Sequence, residues 1–191
     1  TSWDSARFEV CAHKYSDISE YGYGVSLIND CKYGHSIHDG VMSLTLLKSG
    51  TYPDPTADKC EHYFTYSLYP HAGDYREAGT IKTAYELNNP MTAMMIDKHS
   101  GKLADSYSLV SVKDENVVIE TVKKAENGDG IIVRMYESFN RRTNTVLKTG
   151  FGFESVTLCD MLENDLKVIS AKENSIPITL KPFEIVTIKI R

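Results

Sequence analysis

Residues 21–55 read YGYGVSLINDCKYGHSIHDGVMSLTLLKSGTYPDP, and this stretch decides the fold prediction. Residues 25–28 form a short apolar run, and residues 41–47 form a second one after the turn signal His-Asp-Gly at 38–40. A polar turn, residues 29–34, lies between the two runs. Loops that present convergent polar groups on a rigid sheet are where binding tends to occur. We therefore predict two strands flanking a loop that displays four candidate binding residues, Asn29, Asp30, Lys32 and Tyr33.

Period-two patterns on either side of this stretch predict two further strands. Residues 7–14 alternate apolar and polar side chains, and residues 61–68 alternate again before Pro70 ends the run. Residues 14–20 are polar, and residues 51–59 hold two prolines and two aspartates, so both segments are predicted to be loops. The first part of the chain is therefore expected to be rich in β-structure.

One helix is predicted in the chain, over residues 74–87. Asp74 is a suitable N-cap, and Glu77 three residues later completes a capping-box-like pair. The sequence Asn-Asn-Pro at 88–90 is expected to end the helix. The short apolar run that follows, residues 91–96, predicts another strand.

A polar stretch over residues 97–108 marks the predicted domain boundary, which separates residues 1–100 from residues 105–191. Beyond it, short apolar runs alternate with turns at regular intervals, which predicts an antiparallel β-sandwich. The fold class is therefore mainly β with one helix. The runs cover residues 109–112, 117–121, 131–139, 144–151, 155–159, 166–169, 176–180 and 183–190.

The composition excludes two classes of partner. The net charge is -5 and no basic stripe is present, which argues against nucleic acid because phosphates need clustered Lys and Arg. No apolar run reaches the roughly 20 residues of a membrane helix, so no membrane partner is predicted. The four cysteines form no CxxC pair and are predicted to be free thiols in a reducing cytoplasm, with Cys11 in a core.

Several ordered motifs carry a resemblance to a known family. They are GYGVSLINDCKYG at 22–34, VMSLTLLKSGTYPDPTAD at 41–58, HYFTYSLYPHAGD at 62–74 and AYELNNP at 84–90. Together they resemble the C-terminal β-region of the retaining α-mannosidases of glycoside hydrolase family 38. The resemblance covers nearly the whole chain and is strongest over residues 6–90.

The resemblance implies a non-catalytic part of a larger enzyme that hydrolyses terminal non-reducing α-D-mannose. The first part would be the end of a large two-sheet, supersandwich-like β domain, and the second a small terminal sandwich. An incomplete sheet would expose an edge strand, which favours self-association into a homo-oligomer. The partner would be an N-terminal catalytic α/β domain of the same polypeptide, which would hold two aspartates and a zinc ion outside this chain.

The resemblance also implies roles for the loop after the first strand of the opening stretch. In relatives, a basic residue of such a turn reaches the sugar. Residues 29–33 match this segment, with Lys32 donating to sugar hydroxyls, Asp30 orienting it and Tyr33 stacking or donating. Lys stands where some relatives carry Arg, so a point charge replaces a planar fork. A solvated turn lysine remains the open alternative for Lys32.

No catalytic carboxylate is assigned, because glycosidases need two flanking acids and Asp30 has no obvious partner. His35 and His38 lie near Asp39 but lack a third ligand, so a structural or solvated role is expected. Two other functions remain open. The chain could be a stand-alone carbohydrate-binding β-sandwich, with stacking tyrosines at positions 15, 21, 23 and 52, or a purely structural domain.

Overall fold

The computed structural model describes residues 1–102 and 104–191 and contains two compact units, Thr1–Ile96 and Asp97–Arg191. Leu103, within the predicted boundary stretch, lies outside the described residues. The first unit contains helix α1 (Ser2–Ser5), strands β1 (Val10–Cys11), β2 (Tyr15–Glu20), β3 (Tyr23–Asn29), β4 (Gly34–His38), β5 (Val41–Leu44) and β6 (Tyr66–Ala72), and helix α2 (Thr80–Asn88). The second contains β7 (Val110–Ser111), β8 (Val117–Lys124), β9 (Ile131–Glu137), β10 (Thr143–Thr149), β11 (Val156–Cys159), β12 (Asp165–Val168), β13 (Ser175–Leu180) and β14 (Ile185–Ile190).

The first unit is built on strand β3, which is the predicted strand of the opening stretch. It pairs antiparallel with β2 on one side and with β6 on the other, and Leu27 stands opposite Ser16 and Leu68. Helix α2 packs against β3 through its buried apolar positions, Ile81 and Ala84. A second sheet has the order β1-β4-β5. The polar loop therefore follows the central strand of this sheet, which is hydrogen-bonded to a neighbouring strand on both sides.

The prediction that residues 14–20 form a loop is wrong, because residues 15–20 form strand β2. Its polar side chains have partners within the fold. The Asp17 carboxylate accepts hydrogen bonds from the Ser26 hydroxyl (2.7 Å) and from the His71 ring (2.8 Å). Conversely, the strand predicted over residues 7–14 shrinks to two residues, and Phe8, one of the apolar residues in that alternation, is 80% exposed.

Strands β4 and β6 also depart from the sequence prediction. Residues 34–38 form a strand between the polar loop and β5, so the two predicted strands do not flank the loop directly. Strand β6 begins at Tyr66 and runs through Pro70, where the sequence predicted an end. Pro70 stands opposite Val25, and β6 lies at the edge of its three-stranded sheet, where proline is tolerated.

The predicted helix forms over a shorter range. The capping pair is present, since the Asp74 carboxylate accepts the Glu77 N–H (3.3 Å) and the Glu77 carboxylate accepts the Asp74 N–H (3.3 Å). These bonds close a turn, and α2 starts only at Thr80 because Gly79 adopts a left-handed φ of 65°. The strand predicted over residues 91–96 is absent, and this segment has no regular secondary structure and is exposed.

The second unit is the predicted antiparallel sandwich. A five-stranded sheet has the order β12-β11-β14-β9-β8, and a three-stranded sheet has the order β13-β10-β7. Each predicted apolar run contains a strand, with ends shifted by a few residues. The mainly β fold class is confirmed, whereas the assignment of the two parts to domains of a longer enzyme stays a prediction. The core between the sheets includes Val133, Met135, Leu147, Ile176, Leu180 and Ile188.

Candidate functional site

The candidate site is the loop of residues 30–33, which connects β3 to β4. It brings together three of the four predicted binding residues, and the fourth, Asn29, is the last residue of β3. Asn29 is buried, with 1% of its surface exposed. The loop therefore begins directly after a buried asparagine at the end of the central strand β3.

Asn29 holds the start of the loop in place through hydrogen bonds to neighbouring residues. Its Oδ1 accepts the N–H of Lys32 at 2.7 Å, and its Nδ2 lies 3.4 Å from Nε2 of His35. The side-chain amide of Asn88, at the end of α2, donates to the Asn29 carbonyl at 3.0 Å. These contacts occupy Asn29 within the fold, and its predicted contact with a sugar stays a prediction.

Asp30 ties the loop to the chain segment that leads into β6. Its carboxylate accepts the N–H of Thr65 at 3.0 Å, and its own N–H donates to the Thr65 carbonyl at 3.1 Å. Hydrogen bonds from the Cys31 thiol and the Thr65 N–H hold the pKa of Asp30 below its ordinary value. The same thiol contact raises the pKa of Cys31. Asp30 is therefore an ionised acceptor that fixes the loop.

The Lys32 ammonium lies over an aromatic ring. Its Nζ is 4.7 Å from the ring centroid of Phe64, and no carboxylate lies within ion-pair distance of it among residues 1–102 and 104–191. The expectation that Asp30 orients Lys32 is therefore corrected, because Asp30 is engaged with Thr65. The group beside the ammonium is the Phe64 ring, which the sequence alone did not single out.

Tyr33 presents an exposed ring at the end of the loop. Slightly more than half of its surface, 54%, is accessible. Its ring contacts the His13 ring in an edge-to-face arrangement, with 4.9 Å between centroids and an angle of 65° between the planes. The loop thus offers an ammonium and a phenol as hydrogen-bond donors, together with a ring face, which are the groups that suit a polyhydroxylated ligand.

The histidines of the HSIHD segment do not form a metal site. His35 is fully buried and its Nδ1 lies 3.0 Å from the Ser16 hydroxyl, so its expected structural role is confirmed, while His38 is exposed. Burial lowers the pKa of His35. Within the part of the chain that the structure describes, no group of three His, Cys, Asp or Glu side chains could hold a metal ion. The zinc that the resemblance implies would be held by residues outside this chain, and His35 and His38 are not offered as its ligands.

Three of the four cysteines are exposed, and Cys159 is buried. All four cysteines are free thiols, but Cys11 is exposed, which corrects its expected place in a core. The strand around it is only two residues long and does not reach the interior. No helix in the described residues has the length and apolar character to cross a bilayer.

Comparisons with known proteins place this fold in a family. The family model "Glycosyl hydrolases family 38 C-terminal domain" matches residues 1–56, and the model "Glycosyl hydrolases family 38 C-terminal beta sandwich domain" matches residues 116–188. The chain superposes on the crystal structure of an alpha-mannosidase from Enterococcus faecalis V583 with a TM-score of 0.74 and 23% identity, covering 96% of this chain and 21% of that one. That likeness shows the same fold.

Two curated relatives are more similar in sequence. The chain is 40% identical to Alpha-mannosidase 2C1 of Homo sapiens over 98% of its length, and 40% identical to Alpha-mannosidase G of Dictyostelium discoideum over 99%. It spans 18% of the length of each of these relatives. From the two ordered family matches and these identities, we conclude that the chain belongs to glycosyl hydrolase family 38, in the C-terminal β region that those models describe.

Proposed function

We propose that the chain is the non-catalytic C-terminal β portion of a retaining α-mannosidase that removes terminal non-reducing α-D-mannose residues. The observation that carries this proposal is the match of two successive family 38 C-terminal domain models to residues 1–56 and 116–188. Relatives that are 40% identical bear the name alpha-mannosidase. The reaction itself would belong to an N-terminal α/β domain of the same polypeptide, which would hold the zinc ion.

Within this proposal, the loop of residues 30–33 rims the sugar pocket. Lys32 and Tyr33 supply donors and a ring face, which suits a neutral sugar. Asp30 is a poor candidate for the acid of the reaction. A glycosidase general acid has a raised pKa, whereas hydrogen bonds hold the pKa of Asp30 below its ordinary value. The loop would therefore bind and orient the substrate while other groups transfer the proton.

The experiment compares the chain alone with the same chain joined to its catalytic domain, on an aryl α-mannoside with zinc or cobalt present. We expect no turnover from the chain alone and turnover from the intact enzyme. Robust hydrolysis by the chain alone would overturn the non-catalytic assignment. In the intact enzyme, we expect Lys32→Ala to lower kcat/KM roughly 10- to 150-fold, since a hydrogen bond from a charged group contributes about 1.5–3 kcal/mol.

A stand-alone carbohydrate-binding module is the second candidate function. It is favoured by Tyr21 and Tyr52, whose rings are almost fully exposed and available for stacking on a sugar. Titration of α-mannose oligosaccharides into the chain separates the two candidates. Tight binding by the isolated chain favours the module, and no binding favours a loop that acts only beside the catalytic domain.

We also propose a cytoplasmic location and self-association for the protein. Free thiols at all four cysteines support the cytoplasmic location, because disulfides are rare in reducing compartments.

The exposed apolar side chains of Tyr66 and Leu68 on edge strand β6 support self-association. Sedimentation of the intact enzyme over a range of concentrations tests self-association, and a Leu68→Lys variant should remain monomeric if this edge is used.

A further inference from the structure

The position of Phe64 is set by the same hydrogen bonds that hold the candidate loop. Phe64 directly precedes Thr65, whose N–H and carbonyl both bond to Asp30, at 3.0 Å and 3.1 Å. Two bonds to one residue fix both the distance and the direction between the two segments. The Phe64 ring is also half-buried and stacks on Tyr66, with 6.4 Å between centroids and 23° between planes. The ring is therefore a fixed surface beside the loop.

The Lys32 side chain is restrained at both of its ends. At its base, the backbone N–H donates to Oδ1 of Asn29 at 2.7 Å. At its tip, Nζ lies 4.7 Å from the Phe64 ring centroid, within the roughly 6 Å over which a cation is attracted to a ring face. A lysine side chain carries about 2 kcal/mol of rotamer entropy. Holding the ammonium before the ligand arrives removes part of that cost from binding.

We infer that Phe64 is a positioning residue for substrate binding, whose ring holds the Lys32 ammonium where it donates to sugar hydroxyls. This inference rests on the proposed function, in which Lys32 contacts the sugar. A ring is suited to this task because it attracts the cation without accepting a conventional hydrogen bond. The three N–H donors of the ammonium stay available for the ligand, whereas a carboxylate partner would occupy at least one.

The inference is tested by kinetics of the intact enzyme on an aryl α-mannoside, with Phe64→Leu, Phe64→Tyr, Lys32→Ala and the double variant Phe64→Leu/Lys32→Ala. We expect Phe64→Leu to raise KM roughly 2- to 5-fold with kcat little changed, as a cation–π contact at a partly exposed site predicts. Phe64→Tyr keeps the ring and should stay near the wild type. In the Lys32→Ala background, Phe64→Leu should add nothing further, because the group that it positions is gone.

A second measurement reads the contact directly in the 191-residue chain. The ring current of Phe64 should shift the ε-methylene protons of Lys32 upfield in the NMR spectrum, and Phe64→Leu should remove that shift while Phe64→Tyr retains it. An unshifted Lys32 signal in the folded wild type would overturn the inference even if Phe64→Leu proved unstable.

The kinetic outcomes distinguish a failure of the positioning role of Phe64 from a failure of the proposed substrate role of Lys32. If Lys32→Ala is impaired but Phe64→Leu is not, or if the two effects multiply in the double variant, positioning by Phe64 is wrong and the role of Lys32 stands. If Lys32→Ala has wild-type kinetics, the substrate role of the loop and the inference about Phe64 both fail.

Discussion

The side-chain amide of Asn116 donates a 2.7 Å hydrogen bond to the carboxylate of Glu137, and both residues are fully buried. Three backbone N–H groups complete the shell of this carboxylate, from Phe139 (2.8 Å), Arg141 (3.2 Å) and Phe183 (3.0 Å). Burial by itself raises the pKa of Glu137, but the four hydrogen bonds outweigh it and the pKa lies below its ordinary value. The Glu137 carboxylate thus bonds to three separate segments of the second unit, at Asn116, at residues 139–141 and at Phe183.

Replacing Glu137 by Gln should lower the free energy of unfolding by about 2–3 kcal/mol, because a buried donor would face backbone N–H groups and leave at least one unpaired. Urea denaturation of the chain measures the change. The matched control is Glu115→Gln, at an exposed position nearby, which should cost less than about 0.5 kcal/mol. Equal stabilities for the two variants would show that the shell around Glu137 contributes little.

Gly24→Ala should destabilise the first unit, because the new methyl group would overlap Cε1 of the His71 ring. His71 cannot retreat without losing its 2.8 Å contact with Asp17. Overpacking of this kind costs about 1–3 kcal/mol. Thermal unfolding measures it, with Gly50→Ala as control, since a methyl group there meets its nearest neighbour at an ordinary 3.6 Å. A stable Gly24→Ala variant would mean that the ring shifts freely.

Asp165 should make the second unit sensitive to acid. Hydrogen bonds from Lys189 and then from Arg191 lower its pKa to about 2, from 3.8. A carboxylate with a lowered folded pKa stabilises the protein above its unfolded pKa, and that contribution disappears as the pH falls through the folded pKa. The stability advantage of the wild type over Asp165→Asn should therefore be constant above pH 5 or so and vanish near pH 2.

Urea unfolding at a series of pH values measures that advantage. Asp97→Asn, at an exposed position of the same unit, is the control and should track the wild type throughout. A wild-type advantage that persists unchanged at pH 2 would contradict the assignment of the stabilisation to Asp165.

Asp30→Ala should free the N–H of Thr65, which donates to the Asp30 carboxylate at 3.0 Å. We expect amide hydrogen exchange at Thr65 to become roughly 3- to 10-fold faster, because a charge-assisted bond is lost at an accessible site. Asp30→Asn keeps an oxygen acceptor and should show a smaller change. The amide of Leu27, in central strand β3, should be unaffected in both variants and serves as the internal reference.

The second unit was predictable because its signals are local. In strand β13 the buried side chains of Ile176, Ile178 and Leu180 alternate with exposed ones, and that period is visible in the sequence. Strand β2 gave no such signal. Its segment YSDISE is polar, and Asp17 is satisfied by His71, which lies 54 residues away in the chain.

The candidate site likewise has one part that the sequence predicted and one part that it did not. Its loop was predictable, since it follows an apolar strand and is rich in polar and turn-forming residues. The contact between Lys32 and Phe64 was not, because it joins positions 32 residues apart in an arrangement that no local pattern encodes. The expectation that Asp30 orients Lys32 failed for a related reason, because the carboxylate accepts the N–H of Thr65, which lies 35 residues away in the chain.

The exposed segment of residues 91–96 contains methionines that can report chemically on its surroundings. The residues Met91 and Met95 are 99% and 98% exposed, whereas Met135 is fully buried in the second unit. Mild peroxide should therefore convert the first two to sulfoxides and spare the third. Mass-spectrometric footprinting with Met135 as internal standard would record, for any longer polypeptide that contains this chain, how far another surface shields this segment.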